Sequence, residues 1–124
     1  MPTVLIVDDE KNIRATLARG LRLEGYRAEE AADGVDALAA LESGGIDVVL
    51  ADMQMPRLDG LEATRRIRAL PGGRTVAIVA MTANAFTEDR RRCLEAGMDD
   101  FLPKPVDVDT LFSTLLKWLE RDDE

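Results

Sequence analysis

Three continuous apolar runs, each followed by a helical pattern, constrain this chain more than any other feature. They are TVLIV at Thr3–Val7, DVVLA at Asp47–Ala51 and TVAIVAM at Thr75–Met81. Runs of this kind suit strands buried on both faces, as in a parallel sheet covered by helices above and below. Two shorter segments extend the series. Tyr26–Glu30 is polar on alternate residues and reads as an edge strand, and Asp100–Leu102 reads as a short final strand. The intervening helices are predicted over Glu10–Glu24, Asp33–Ser43, Leu61–Leu70, Asn84–Ala96 and Asp107–Leu119. The first carries Ile13, Leu17 and Leu21 on one stripe, and the last carries Leu111, Leu115 and Leu119. In the fourth, Phe86, Cys93 and Leu94 are expected to face inward. Asp33 is a candidate cap, and Gly25, Gly44-Gly45, Pro71-Gly72-Gly73 and Gly97 are stop signals.

Five β-then-α units of this length imply an α/β fold with right-handed crossovers around a parallel sheet. At 124 residues the chain reads as one domain, 1–124. Ligands in such folds bind outside the carboxyl ends of the strands. Those ends carry Asp8 and Asp9 after the first strand and Asp52 after the third. Thr82 follows the fourth strand and Lys104 the fifth.

Composition narrows the chemistry available at that edge. There is no histidine, which removes imidazole acid–base catalysis, histidine-ligated metals and any internal phosphohistidine. One cysteine, Cys93, permits neither an internal disulfide nor a multi-cysteine zinc site. The net charge of −8 argues against direct nucleic-acid binding. With no signal-peptide pattern and no long apolar run, membrane insertion is not expected and a cytoplasmic location is.

Three carboxylates gathered at one sheet edge repel one another unless a cation or protonation relieves them. Asp8, Asp9 and Asp52 suit an all-oxygen site for Mg2+, which takes one or two carboxylates and keeps waters and a phosphate oxygen. Lys104, held between Pro103 and Pro105, would pair with carboxylate and then with phosphate; the plainer reading is a solvated surface lysine. Thr82 is either a hydroxyl donor to a phosphate oxygen or an ordinary strand former. Ala83 beside it is small enough to leave room for a donor. A carboxylate next to a metal and a lysine can attack phosphorus to give an acyl phosphate, and Asp52 is the best placed to do so.

The motifs LIVDDE, LADMQMPRLDG, AMTANA and DDFLPKPVD, in this order, resemble the receiver domains of two-component response regulators. The AMTANA and FLPKPVD segments look like receivers of hybrid histidine kinases, and LIVDDEKNIR looks more like a transcriptional regulator's receiver. The resemblance implies a three-layer, flavodoxin-like (βα)5 fold with strand order 2-1-3-4-5. It implies Asp52 as phospho-acceptor, with Lys104 and Thr82 contacting the phosphoryl group. Asp9, Asp52 and the backbone carbonyl of Gln54 would ligate Mg2+, with Mn2+ as a substitute and Asp8 acting largely through water. Thr82 and Phe101 would form the switch, Gln54 and Asn84 would stand at positions that tune phosphoryl lifetime, and the Lys104–Pro105 bond would be cis. The phosphoryl group would come from a histidine kinase or histidine phosphotransfer protein. The output face would comprise the fourth helix, fifth strand and fifth helix, meeting an effector or a second copy. Such a domain catalyses only its own phosphorylation and dephosphorylation.

Three other readings compete. A Mg2+-dependent aspartyl phosphohydrolase commonly has a second acid two residues after the nucleophile, where Gln54 stands here. A mononucleotide-binding module would need a Ser/Thr/Gly-rich phosphate loop after the first strand, where Asp8 and Asp9 stand instead. A non-phosphorylated docking module would not require the full set of acids, hydroxyl and lysine. Trp118 is expected to pack, or to meet a partner, far from the strand-end site.

Overall fold

The computed structural model describes residues 2–52, 60–70, 76–82, 87–104 and 106–119. Five strands and five helices alternate: β1 Thr3–Val7, α1 Lys11–Leu23, β2 Arg27–Ala31, α2 Gly34–Glu42, β3 Val48–Asp52, α3 Gly60–Ala69, β4 Ala77–Thr82, α4 Thr87–Ala96, β5 Asp100–Pro103 and α5 Val108–Leu119. The strands form one sheet in the order β2-β1-β3-β4-β5, with every neighbouring pair parallel. This is the three-layer (βα)5 arrangement and strand order expected.

The apolar runs become the central strands for a plain reason. Every residue of β1, β3 and β4 is buried, with side chains alternating between two separate cores. One core holds Leu5, Val7, Val49, Ile78 and Ile67; the other holds Ile6, Leu50, Val79, Leu21 and Leu115. Removing a Leu or Ile side chain from water contributes about 1.5–3 kcal/mol, so both helical layers are anchored by the sheet. β2 is an edge strand, as its polar alternation implies, with only Ala31 fully buried.

Strand and helix limits fall within a few residues of expectation, and one shift matters. β3 begins at Val48; just before it the Asp47 amide donates to Thr3 O at 2.9 Å, its carbonyl accepts the Ala77 amide at 3.3 Å and its carboxylate accepts the Thr3 amide at 2.8 Å. At its other end the strand includes Asp52, paired with Met81, rather than ending before it. Asp33 caps α2 by accepting the Asp36 amide at 2.9 Å, and Asp107 does the same for the first turn of α5 through Thr110. In α4 the inward assignment of Leu94 is corrected: its side chain is 56% exposed. Residues 93 and 94 point about 100° apart on a helix, and the described inward position on α4 is Ala96. Phe86 and the Cys93 side chain lie outside the described residues.

Candidate functional site

Parallel strands present their carboxyl ends together, and four of the expected residues meet there. Asp8 follows β1 directly. Its amide donates to Ala31 O at 3.2 Å, continuing the β1–β2 ladder, and its side chain is fully buried. Asp8 Oδ1 accepts the Glu10 amide at 2.9 Å, which closes the turn into α1. Asp9, next in that turn, is exposed. Asp52 ends β3, paired in register with Met81 of β4 and buried. Thr82 ends β4, also buried, and its carbonyl accepts the Lys104 amide at 2.8 Å. That bond fixes the point from which the Lys104 side chain reaches back across the sheet edge.

Lys104 Nζ lies 3.0 Å from Asp52 Oδ2 and 3.4 Å from Asp8 Oδ2. The first is a charge-assisted hydrogen bond; the second is an ion-pair contact too long to be a good one. Accordingly Asp8 Oδ2 is buried with no hydrogen-bond partner among the described residues. Burial pushes the Asp8 carboxyl above its ordinary range, and the nearby Asp52 charge pushes the same way. The Glu10 amide and Lys104 only partly offset this. For Lys104, burial opposes the charged form, but Asp52 and then Asp8 more than compensate, so its pKa rises and the ammonium persists.

One carboxylate oxygen each from Asp8, Asp9 and Asp52 lie within 4.8 Å of one another. Oxygens sharing one Mg2+ at about 2.1 Å stand roughly 3–4.2 Å apart, so a small contraction suffices. An under-satisfied buried oxygen within a hard, all-carboxylate donor set fits a divalent cation. It does not fit a soft metal. A cavity of about 540 Å3 opens beside the cluster, against α1 and the chain around Lys104 and Val106, lined by Asn12, Ile13, Thr16, Leu17, Met81, Lys104 and Val106. Its surface is mainly apolar, with Asn12, Thr16 and Lys104 as its polar lining residues.

Sequence reasoning thus brings Asp8, Asp9, Asp52 and Lys104 to one edge correctly, with Thr82 at the adjoining strand end. Gln54, Ala83, Asn84 and Pro105, and with them the Lys104–Pro105 peptide, lie outside the described residues. Phe101 on β5 is partly buried against the core that holds Ile78 and Ala80, and its amide donates to Asp100 Oδ1 at 2.9 Å. One contributor was missed. Arg14 donates to the Asp8 carbonyl at 2.7 Å, and the only signal for it was its place one turn after Glu10 on α1. Trp118 packs against the core away from this edge, as expected, and its indole N–H also donates to Asp100 Oδ2 at 2.9 Å at the amino end of β5.

Comparison with known proteins agrees with this geometry. Residues 4–116 match the family model for the response regulator receiver domain. The sensor histidine kinase RcsC of Salmonella typhimurium is 48% identical over 118 residues, 95% of this chain but 12% of that protein. The chain therefore spans about an eighth of that relative's length. The receiver domain of sensor histidine kinase PA1611 from Pseudomonas aeruginosa, solved with a magnesium ion coordinated in its active site cleft, superposes with a TM-score of 0.89. It is 41% identical, covering 96% of this chain and 98% of that one. The receiver domain of the Saccharomyces cerevisiae response regulator Ssk1, solved with the histidine phosphotransfer protein Ypd1, gives a TM-score of 0.90 at 31% identity. That match covers 94% of this chain and 88% of the other. No helix among the described residues is long and apolar enough to cross a membrane. With the parallel 2-1-3-4-5 sheet, the acid cluster at its carboxyl edge and a match spanning nearly the whole chain, this protein belongs to the response regulator receiver domains of two-component signalling.

Proposed function

We propose that Asp52 is the phospho-acceptor, taking a phosphoryl group from a phosphohistidine on a histidine kinase or histidine phosphotransfer protein. The observation that carries this is the contact of Lys104 Nζ with Asp52 Oδ2 at 3.0 Å, beside two further carboxylates within 4.8 Å. An Asp52 carboxylate oxygen forms the new O–P bond in line as the donor's N–P bond breaks, and the departing imidazole takes up a proton. Lys104 moves from carboxylate to phosphoryl oxygen without losing its charge, and the Thr82 hydroxyl donates to a second oxygen. Asp8, Asp9, Asp52 and the Gln54 carbonyl would hold Mg2+, or Mn2+ in its place. When bound, it would supply charge neutralisation for the transferring group. The histidine-free composition supports a donor on another molecule.

In this reading residues 1–124 act as one cytoplasmic switching domain. Thr82 and Phe101 change packing on phosphorylation and alter the α4–β5–α5 face, which meets an effector or a second copy. A shift of this kind requires the phosphoryl group to favour one packing over the other. The domain would act as a stand-alone regulator, or within a hybrid kinase or a regulator with a separate output domain. The test is incubation with acetyl phosphate, with and without Mg2+, followed by intact mass. Wild type is expected to gain one phosphoryl group, labile to acid and to base as an acyl phosphate is, only with Mg2+, and Asp52→Asn none. Labelling of Asp52→Asn to the wild-type level would assign the acceptor elsewhere.

A further inference from the structure

Beyond the acids and the lysine, the Arg14 guanidinium reaches the turn that carries the site. Arg14 sits near the start of α1, and its side chain is only 15% exposed. Its Nη1 donates to the Asp8 carbonyl at 2.7 Å, while its Nε meets Glu30 Oε1 at 3.3 Å near the carboxyl end of β2. A planar guanidinium can engage two acceptors at once in this way, whereas an ammonium cannot match the geometry. The Asp8 carbonyl belongs to the peptide unit whose other end is the Asp9 nitrogen, and that unit is rigid. Holding the carbonyl therefore fixes the peptide between the two acids. The preceding peptide is held separately, by the Asp8 amide on Ala31 O at 3.2 Å.

We propose that Arg14, anchored by Glu30, is a positioning residue for the divalent-cation site, setting the relative placement of Asp8 and Asp9. The inference rests on the cation reading of the acid cluster given above. It makes a prediction whose sign is opposite to that of simple electrostatics. A fixed positive charge near a cation site opposes cation binding, so losing that charge alone would tighten Mg2+. Losing a group that orients metal ligands weakens binding, typically about 10–100-fold.

The experiment is isothermal titration of the metal-free protein with Mg2+, alongside amide hydrogen exchange without metal. Arg14→Met is expected to raise the Mg2+ Kd about tenfold. Arg14→Lys should also weaken binding because it keeps the charge but not the fork, and Glu30→Ala should give a smaller loss in the same direction. In the metal-free protein, exchange at the Asp9 and Glu10 amides is expected to accelerate in all three. If Arg14→Met fails to fold, Arg14→Lys and Glu30→Ala carry the test. A Kd at or below wild type in the folded variants overturns the proposal, as does a fall in melting temperature with affinity and exchange unchanged. Wild type failing to bind Mg2+ removes the cation reading together with this inference, whereas wild-type binding matched by the variants removes this inference alone.

Discussion

At the amino ends of β4 and β5, Arg68 of α3 is bonded on every side: Nε and Nη2 donate to Gly97 O at 2.9 and 2.6 Å, and Nη1 to Val76 O at 2.6 Å. Nη2 also reaches Asp99 Oδ2 at 2.7 Å, and the same oxygen accepts the Ile78 amide at 2.8 Å. At the carboxyl ends of β1 and β3 the balance is reversed. Two buried carboxylates, with a third nearby, gather around one ammonium, and Asp8 Oδ2 has no hydrogen bond among the described residues. Both ends carry partly buried ion pairs on the same sheet. The difference is that one arrangement satisfies its polar atoms and the other leaves capacity for something to arrive. Fully satisfied buried charges hold a structure together; under-satisfied ones mark where function has been placed at the expense of stability.

The largest test of this contrast is Arg68→Met. It removes a cation with four close acceptor contacts and leaves Asp99 without its ion-pair partner. Urea unfolding should show a loss of about 3 kcal/mol. Mg2+ affinity of the folded fraction should stay within about twofold of wild type if the two ends are independent. A stability change below about 0.5 kcal/mol would mean that the clamp is merely decorative.

A smaller effect of opposite sign is expected from Asp8→Asn. The substitution removes a buried charge pressed by its own desolvation and by Asp52, and should stabilise the metal-free protein by about 1 kcal/mol while weakening Mg2+. The pH dependence tests the same point. Because the Asp8 pKa is raised on folding, the native state holds that proton more tightly than the unfolded chain does. Its contribution therefore lowers stability as pH rises from the ordinary 3.8 through the raised value. Asp8→Asn should remove this downward component, and saturating Mg2+ should reverse it by favouring the charged form. Asp100, at the amino end of β5, provides the contrast. Burial would raise its pKa, but the Trp118 indole, the Phe101 amide and Lys117 more than offset this and lower it. Its contribution is complete above 3.8 and is lost as pH falls through the lower folded value. Identical pH profiles for wild type and Asp8→Asn in the absence of metal would break the comparison.

The smallest effect should come from Glu62→Ala. Glu62 pairs with Arg65 at 3.4 Å and Arg66 at 3.3 Å on α3, the same helix as Arg68, but all three side chains are exposed. The expected cost is about 0.3–0.5 kcal/mol by urea unfolding, and it should shrink further in high salt. A loss approaching that of Arg68→Met would show that charge pairing alone, rather than burial with full satisfaction, accounts for the clamp.

Much of this architecture is legible in the sequence. Runs such as TVLIV and TVAIVAM admit little besides strands covered on both faces. The rule that parallel strands bind ligands at their carboxyl ends brought Asp8, Asp9, Asp52 and Lys104 together. What escaped were interactions between residues distant in sequence. Arg68 and its acceptors Gly97 and Asp99 are 29 and 31 residues apart, Arg14 and Glu30 are 16 apart, and Trp118 and Asp100 are 18 apart. Gly97 also has a φ of 109°, and a Cβ there would approach Arg68 Cγ to 3.0 Å, so its role is partly to admit the guanidinium stem and not only to stop α4. The inward assignment of Leu94 failed because a few apolar positions on a highly charged helix do not define a face.

By itself, the order of apolar runs and helical stripes determined the layered α/β architecture, and the residue types after each run determined an acidic, oxygen-only site with one lysine. Those are local properties: burial preference and residue chemistry travel with each segment. Only the tertiary structure decided that Asp52 closes β3 rather than following it, that Lys104 contacts Asp52 more closely than Asp8, and that Arg14 holds the peptide between Asp8 and Asp9. These depend on register and on side chains reaching across separate elements, and the free energy of each contact is defined only once the sheet has brought its partners together.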